Sequence, residues 1–245
     1  MGKYSKKFAD SKLEINKWFY HTSRKVCKFL LPLFIDHQIV GMENIPKDQP
    51  AILASKHTYW FDLVTTNCFI DRTIYTFAKA AYFDTSTWLS RARRWWFKKM
   101  GAFNVNNSID KVGLRPSDID LILQPIKKGA LLLIYPEGTR VEGQVGKFEK
   151  GLAATLRIQS ELDAHSKVPI IPLSPAYSRQ PFTSIKSYIP FWKRIKIVLV
   201  AGAPIYYNGE TTREFTKILK EKVTECYDQA GCYLRAHHNP LISNA

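Results

Sequence analysis

Ala51-Ile52-Leu53-Ala54-Ser55, followed within seven residues by His57 and Asp62, is the most informative segment of this 245-residue chain. It has the apolar character and the length of a buried strand, and polar residues begin where it ends. Four further short runs have the same character, at residues 74–78, 131–135, 168–173 and 195–201. Stretches with a helical pattern lie between them, for example at residues 118–127 and 151–161.

This alternation predicts an α/β protein, a single domain whose mixed or mostly parallel sheet is covered by helices. Apolar residues make up 45% of the chain, which excludes global disorder. We divide the chain into a basic amphipathic helical segment at residues 1–35 and a domain at residues 36–245. Because the run at 168–173 contains Pro169 and Pro172, we expect it to be an edge strand or a bulged one.

Positive charge is in excess and is concentrated in two segments. Lys and Arg number 36 against 21 Asp and Glu, and residues 1–35 and 88–99 carry net charges of +6 and +5. Such an excess predicts a polyanionic partner, which can be nucleic acid, an anionic membrane or a phosphorylated substrate. Both segments also carry aromatic residues at helical spacing. Composition leaves three interpretations open: helices packed on their own core, helices lying in a membrane interface, and nucleic-acid binding.

The first segment has the pattern of a helix that could lie on a membrane. Ser11 and Glu14 have the spacing of a capping box, and Pro32 is expected to break or kink the helix. Residues 29–35 are the longest apolar run, far shorter than the ~20 residues that span a bilayer.

We find no signal peptide, and the cysteines form no C-x-x-C pair, which is typical of reduced thiols. We therefore expect a peripheral or monotopic protein at the cytoplasmic face of a membrane.

Two segments that follow strands contain residues suited to chemistry. A His acts as a general base when an acid orients its ring, and His57 and Asp62 can meet if His57 lies in the turn after the strand and Asp62 in the first helical turn. The second segment is Tyr135-Pro136-Glu137-Gly138-Thr139-Arg140, in which the guanidinium of Arg140 suits phosphate. Open α/β sheets bind ligands at the carboxyl ends of their strands, so both positions favour a site.

The order of these motifs resembles the glycerolipid acyltransferase family, and the closest type is 1-acylglycerol-3-phosphate (lysophosphatidate) O-acyltransferase. The resemblance begins at residues 40–46 and ends near Pro204. It rests on four motifs in succession, H-x4-D, Y-P-E-G-T-R, K-F-E-K-G and V-P-I-I-P. The family has no metal or cofactor and uses acyl-CoA or acyl-carrier protein as co-substrate.

The resemblance implies a role for each matched residue. His57 is the catalytic base and Asp62 its partner. The residues that bind the substrate are Glu137, Gly138, Thr139, Arg140, Lys150 and Lys79. Two departures are visible, since Lys56 stands where the family usually has Asn, and Asn107 stands where a phosphate-binding Arg is expected.

The resulting hypothesis is an O-acyltransferase that moves a fatty acyl group from an acyl thioester to the hydroxyl of a lysophospholipid or glycerol-phosphate-type acceptor, in phospholipid biosynthesis. Its expected partners are an anionic membrane surface, the lysophospholipid-type acceptor and the acyl donor. Because of Asn107, a different lipid acceptor stays open. A basic nucleic-acid-binding module is the other alternative, although the chain has neither zinc-finger spacing nor an RNP-like strand.

Overall fold

The structure, a computed structural model, describes residues 15–78, 83, 86–104, 116–148, 168–181 and 194–236. Within these residues seven strands form one sheet. The strands are β1 (Ile35–Val40), β2 (Ala51–Ser55), β3 (Ile74–Ala78), β4 (Ala102–Asn104), β5 (Leu131–Ile134), β6 (Ile170–Tyr177) and β7 (Ile195–Ala201). The helices are α1 (Lys17–Leu30), α2 (Asp62–Phe69), α3 (Trp88–Lys99), α4 (Pro116–Lys127) and α5 (Thr212–Ala236).

The strand order is β1-β7-β6-β2-β5-β3-β4. Neighbouring strands are parallel except for β6 and β7, which run antiparallel. The predicted α/β fold with a mixed, mostly parallel sheet is therefore confirmed. Because β6, β2 and β5 are adjacent and parallel, the segments that follow their carboxyl ends meet at one edge of the sheet.

Of the two expectations for residues 168–173, an edge strand or a bulged one, the edge strand is wrong, because β6 pairs with β2 on one side and β7 on the other. Pro172 is tolerated because the antiparallel ladder to β7 begins only at Leu173, and Pro175 lies beyond Leu173, where the ladder to β2 ends. Pro172 still takes part through its carbonyl, which accepts a bond of 2.9 Å from the Gly202 N–H. The sequence analysis also missed β1 and the three-residue strand β4.

Helices cover both faces of the sheet. On one face, α4 and α5 pack apolar side chains such as Ile122, Ile126, Phe215 and Leu219 against the inward residues of β2, β5 and β6. On the other face, α2 packs through Phe69 and Cys68, and α1 lies over α2. None of the helices among the described residues has both the length and the hydrophobicity needed to cross a membrane.

Helix α1 begins later than the capping box at Ser11 and Glu14 predicts. Those two residues lie outside the described ranges, and the N-cap is Asn16, whose side chain accepts a bond of 2.9 Å from the Phe19 N–H. Asn is a preferred N-cap residue, since its oxygen satisfies a free backbone donor. The helix ends before Pro32, as expected, and continues as a short 3₁₀ turn.

One face of α1 is bound tightly to the rest of the protein. The Tyr20 hydroxyl is fully buried, donates to the Asn67 side chain at 3.0 Å and accepts from the Ile74 N–H at 3.0 Å. The Arg24 guanidinium donates to the Asn67 and Ile70 carbonyls at the end of α2, at 2.7 and 2.5 Å. Arg24, one of the cations that give residues 1–35 their positive charge, is therefore buried against α2 and not exposed to solvent.

The other predicted helices fall into two groups. The helical spacing at residues 88–99 corresponds to α3, and that at 118–127 corresponds to α4. The predicted helix at 151–161 lies outside the described residues, as do Lys79, Asn107 and Lys150.

Candidate active site

The side chains of His57 and Asp62 meet beyond the end of β2. Strand β2 ends at Ser55 and α2 begins at Asp62, so His57 lies in the connecting turn and Asp62 in the first helical turn. This is the arrangement that allows a pair five residues apart to meet. His57 Nδ1 lies 2.9 Å from Asp62 Oδ2, within hydrogen-bond distance. An ionised carboxylate can only accept, so Nδ1 carries the proton and Nε2 is the basic nitrogen of the neutral ring.

Asp62 is held in place from several directions. Its side chain is completely buried, and Oδ2 also accepts bonds from the backbone N–H groups of Thr58 at 2.6 Å and Tyr59 at 2.9 Å. The hydroxyl of Tyr177, at the end of β6, donates to Oδ1. A buried carboxylate needs such donors to stay charged, and together they fix the orientation of both oxygens.

Two tyrosines enclose the pair from the neighbouring strands. The ring of Tyr135, which follows β5, stacks on the His57 ring with 4.0 Å between centroids and 23° between planes. Burial raises the pKa of the Tyr135 and Tyr177 hydroxyls well above the usual range, and the negative charge of Asp62 adds to this. Both hydroxyls therefore stay protonated at neutral pH, which keeps Tyr177 a donor to Asp62.

The turn after β5 carries the second group of candidate residues. Gly138 has a φ of +66°, and its N–H donates to the Tyr135 carbonyl at 3.0 Å. Gly138, Thr139 and Arg140 are exposed. Val141, the next residue, binds the segment that carries His57, since its N–H donates to the His57 carbonyl at 2.8 Å. The structure thus brings the exposed turn and the His57 segment together.

Glu137 differs from its neighbours in the turn because its side chain is buried. Oε2 accepts the His57 backbone N–H at 2.7 Å, and Oε1 accepts the Gly146 N–H at 2.7 Å. Both oxygens therefore have partners inside the protein. In this structure the Glu137 side chain fixes the backbone of His57, and its role as a substrate ligand stays a prediction.

The sequence analysis missed two contributions to this site. It did not identify Tyr177, because a Tyr at the end of a strand gives no sign of the Asp 115 residues earlier that it contacts. It identified Lys56 only as a departure from a family pattern, whereas the structure buries this side chain completely beside Glu137. No group of His, Cys, Asp and Glu suited to a metal ion occurs in the described part of the chain.

An apolar cavity of about 370 Å³ lies next to helix α2. It is bounded by α1, α2 and α3, and its α2 wall consists of Leu63, Val64, Asn67 and Cys68. The wall begins at the residue after Asp62, and the volume is in the range of ordinary ligand sites.

Comparisons with known proteins agree with the fold. A family model described as Acyltransferase matches residues 36–175. The 1-acyl-sn-glycerol-3-phosphate acyltransferase of Bacillus subtilis (strain 168) is 23% identical over 214 residues, which are 84% of this chain and 96% of that protein. The enzyme of the same name from Pseudomonas aeruginosa is 25% identical over 195 residues, 75% of this chain and 65% of that protein.

A solved structure has the same fold. The crystal structure of the 1-acyl-sn-glycerophosphate (LPA) acyltransferase PlsC from Thermotoga maritima superposes with a TM-score of 0.57 at 20% identity, covering 85% of this chain and 81% of that one. Because the family model spans more than half of the chain and the fold agrees, this protein belongs to the acyltransferase family and is an acyltransferase.

Proposed function

We propose that this acyltransferase moves a fatty acyl group from an acyl thioester to the free hydroxyl of lysophosphatidate or a closely related lysophospholipid. The observation that carries the proposal is the 2.9 Å contact between His57 and the buried Asp62 at the carboxyl end of β2. The relatives from Bacillus subtilis and Pseudomonas aeruginosa support the acceptor, because both are named for 1-acyl-sn-glycerol-3-phosphate.

The geometry supports general-base catalysis without an enzyme nucleophile. His57 Nε2 takes the proton of the acceptor hydroxyl as its oxygen attacks the thioester carbonyl carbon. The imidazolium that forms is stabilised by Asp62, whose carboxylate stays ionised. When the C–S bond breaks, the leaving thiolate takes the proton from Nε2. One ester forms, one thioester is lost, and the base returns to its neutral form.

The exposed turn supplies a cation for the acceptor phosphate. Arg140 is exposed in a turn that is held next to His57 by the hydrogen bond from the Val141 N–H to the His57 carbonyl. A phosphate bound to Arg140 therefore keeps the acceptor near the base. The planar guanidinium matches phosphate oxygens in pairs. Lys150 and Lys79 are proposed to add to this charge, on the strength of their match to the family motifs.

The apolar cavity supports an acyl substrate. Its walls are largely apolar side chains, and it runs beside α2, whose first residue is Asp62. We propose that it takes the fatty chain of a substrate, since apolar chains gain free energy by leaving water.

Exposed aromatic and aliphatic side chains support docking on an anionic membrane surface. On α1, Trp18 and Phe29 are 75% and 79% exposed, and on α3, Trp88 and Trp95 are 69% and 53% exposed. The two helices touch where the Phe19 and Trp95 rings meet edge to face at 5.1 Å. Exposed apolar groups of this size beside basic residues are typical of interfacial helices.

The reaction is tested with purified protein, labelled acyl-CoA or acyl-carrier protein, and a panel of lysolipid acceptors, with products identified by mass. With lysophosphatidate as acceptor we expect a product with the mass of phosphatidate. Acceptors without a phosphomonoester should give less acylated product. Acylation only of a different lipid would overturn the acceptor, and hydrolysis without transfer would overturn the reaction.

Membrane docking is tested by flotation of the Trp18→Ala/Phe29→Ala variant with anionic liposomes. Point variants are needed because removing α1 would also remove the buried Tyr20 and Arg24. We expect the double variant to bind liposomes less than the wild type does. Tyr233→Ala, which alters an exposed ring on α5, is the control and should bind like the wild type. Binding should weaken with salt without vanishing. Failure of the wild type to float at low salt, or a preference for single-stranded DNA at matched salt, would contradict docking.

A further inference from the structure

Lys56 is a completely buried lysine directly before His57. Its Nζ atom lies 2.7 Å from the Val141 carbonyl and 3.4 Å from the Gln144 carbonyl, so it can donate to both. The same atom lies 3.8 Å from Glu137 Oε1 and 5.3 Å from the centre of the Tyr227 ring on α5. A cation this close to a ring face is attracted to it. The ammonium group thus meets the loop, the carboxylate and the ring at one point.

The loop that Lys56 contacts, residues 137–146, is also attached to the backbone of His57. The His57 N–H donates to Glu137 Oε2, and the His57 carbonyl accepts the Val141 N–H. The loop closes on itself through the Gly146 N–H, which donates to Glu137 Oε1. A side chain at Gly146 would lie 2.9 Å from a Val141 methyl group, so the packing is close.

The position of Lys56 explains why a long, charged side chain is suited to it. The carbonyls of Val141 and Gln144 belong to a segment without regular structure, and Lys56 gives them a donor. Burial lowers the pKa of the Lys56 amine, and the adjacent Glu137 carboxylate opposes that change. A buried pair of this kind is costly to break on one side only, because the other charge is then left without a partner.

We propose that Lys56 is a positioning residue that holds the loop at residues 137–146 against the His57 backbone, so that the acceptor-binding turn and the general base keep a fixed separation. The proposal deepens the function proposed above and rests on it for the role of the turn. Lys56 itself touches no reacting atom. It acts through the loop, which carries Thr139 and Arg140, and through Glu137, which binds the His57 N–H.

The structural part of the proposal is tested without substrate, by hydrogen exchange in Lys56→Met. Methionine keeps the length of the side chain and removes the donors and the charge. We expect the amides of Val141 and Gly146 to exchange about tenfold faster or more, because the loop opens locally, while the amides of β2 and β5 keep wild-type rates. Lys128→Met, which alters an exposed lysine, is the matched control and should exchange like the wild type.

The functional part is tested by kinetics of the same variants. A displaced loop separates the phosphate site from the base, so kcat/KM for the acceptor should fall by about 10²-fold, whereas KM for the acyl donor should change less than about threefold. Glu137→Gln is made alone and together with Lys56→Met. Both Glu137 oxygens accept backbone N–H groups, so the amide nitrogen of Gln faces a donor, and Glu137→Gln alone measures the cost of that change. If Lys56 served only to pair the Glu137 charge, the double variant would be as active as Glu137→Gln. We expect it to be less active by about tenfold or more, because the loop carbonyls still lack their donor.

Each result bears on a different claim. Wild-type exchange in the loop of Lys56→Met, or turnover in the double variant equal to that of Glu137→Gln alone, would overturn the positioning role. Should Lys56→Met fail to fold, the double variant carries the same exchange measurement. Absence of acyl transfer in the wild type would refute the proposed function, while the exchange result would still decide whether Lys56 holds the loop.

Discussion

Replacing Asp62 by Asn removes one negative charge and leaves the shape of the side chain nearly unchanged. Oδ2 accepts three N–H groups, from His57, Thr58 and Tyr59, whereas Oδ1 accepts the Tyr177 hydroxyl and no second donor among the described residues. The amide nitrogen of the variant should therefore take the Oδ1 position. There the Tyr177 hydroxyl can rotate to accept from it, because a hydroxyl both donates and accepts. The His57 ring then keeps its tautomer and its orientation.

With the geometry preserved, the loss is electrostatic. Two unit charges about 4 Å apart attract by about 4 kcal/mol at an effective dielectric constant near 20. If most of this attraction acts on the imidazolium in the transition state, kcat should fall by about 10²–10³-fold. KM for donor and acceptor should change less than about threefold, because neither substrate touches Asp62 in the proposed mechanism.

The assay is transfer of labelled acyl groups from acyl-CoA to lysophosphatidate, with unfolding in urea as the check on stability. Asp71→Asn is the matched control, since it makes the same chemical change on a side chain that is 82% exposed just after α2. We expect this control to keep its kcat. An Asp62→Asn protein that keeps kcat within fivefold of the wild type, or that changes only the KM of the acceptor, would refute the role of Asp62 as partner of the base.

Three further predictions concern other parts of the molecule. Arg140→Ala should raise the KM of the acceptor by about tenfold or more, because a charge-assisted phosphate contact is lost, and leave the KM of the donor unchanged; equal effects on both would count against phosphate binding. Tyr20→Phe should lower the free energy of unfolding in urea by about 1–3 kcal/mol, because two buried hydrogen bonds are lost. Tyr233→Phe at the surface should leave that free energy unchanged, and equal stabilities of the two variants would contradict the burial of α1. A hydrogen bond from Cys68 lowers the pKa of Cys27, so Cys27 should react with iodoacetamide at lower pH than an ordinary thiol. Cys68→Ala should raise the pH at which this reaction reaches half its maximal rate, and an unchanged pH midpoint would argue against the contact.

Much of the fold could be predicted from the sequence, because buried parallel strands are continuous apolar runs. The bounds of β2, β3 and β7 were predicted to the residue. Strand β1 was missed because its Asp36, His37 and Gln38 interrupt the apolar pattern, and because its one partner among the described strands is β7, at the edge of the sheet. The central place of β6 was missed because the position of a proline within a ladder depends on where the neighbouring strands end.

The candidate site was predictable only where its residues lie close together in sequence. The contact between His57 and Asp62 could be predicted because the two residues are five positions apart and one turn brings them together. Arg140 could be identified as a candidate from its motif. Lys56 contacts Val141 across 85 positions and Tyr177 contacts Asp62 across 115, so no local pattern contains either contact. The buried face of α1 was misjudged for the same reason, since Arg24 bonds to carbonyls more than 40 positions away.

The most direct test of the central claim, that His57 is the general base of an acyl transfer, is the turnover of His57→Ala with labelled acyl-CoA and lysophosphatidate. We predict a loss of about 10²–10⁴-fold in kcat, with the free energy of unfolding close to that of the wild type. His37→Ala, which alters an exposed histidine of β1, should keep full activity. A folded His57→Ala protein that transfers acyl groups within a few-fold of the wild-type rate would contradict the account.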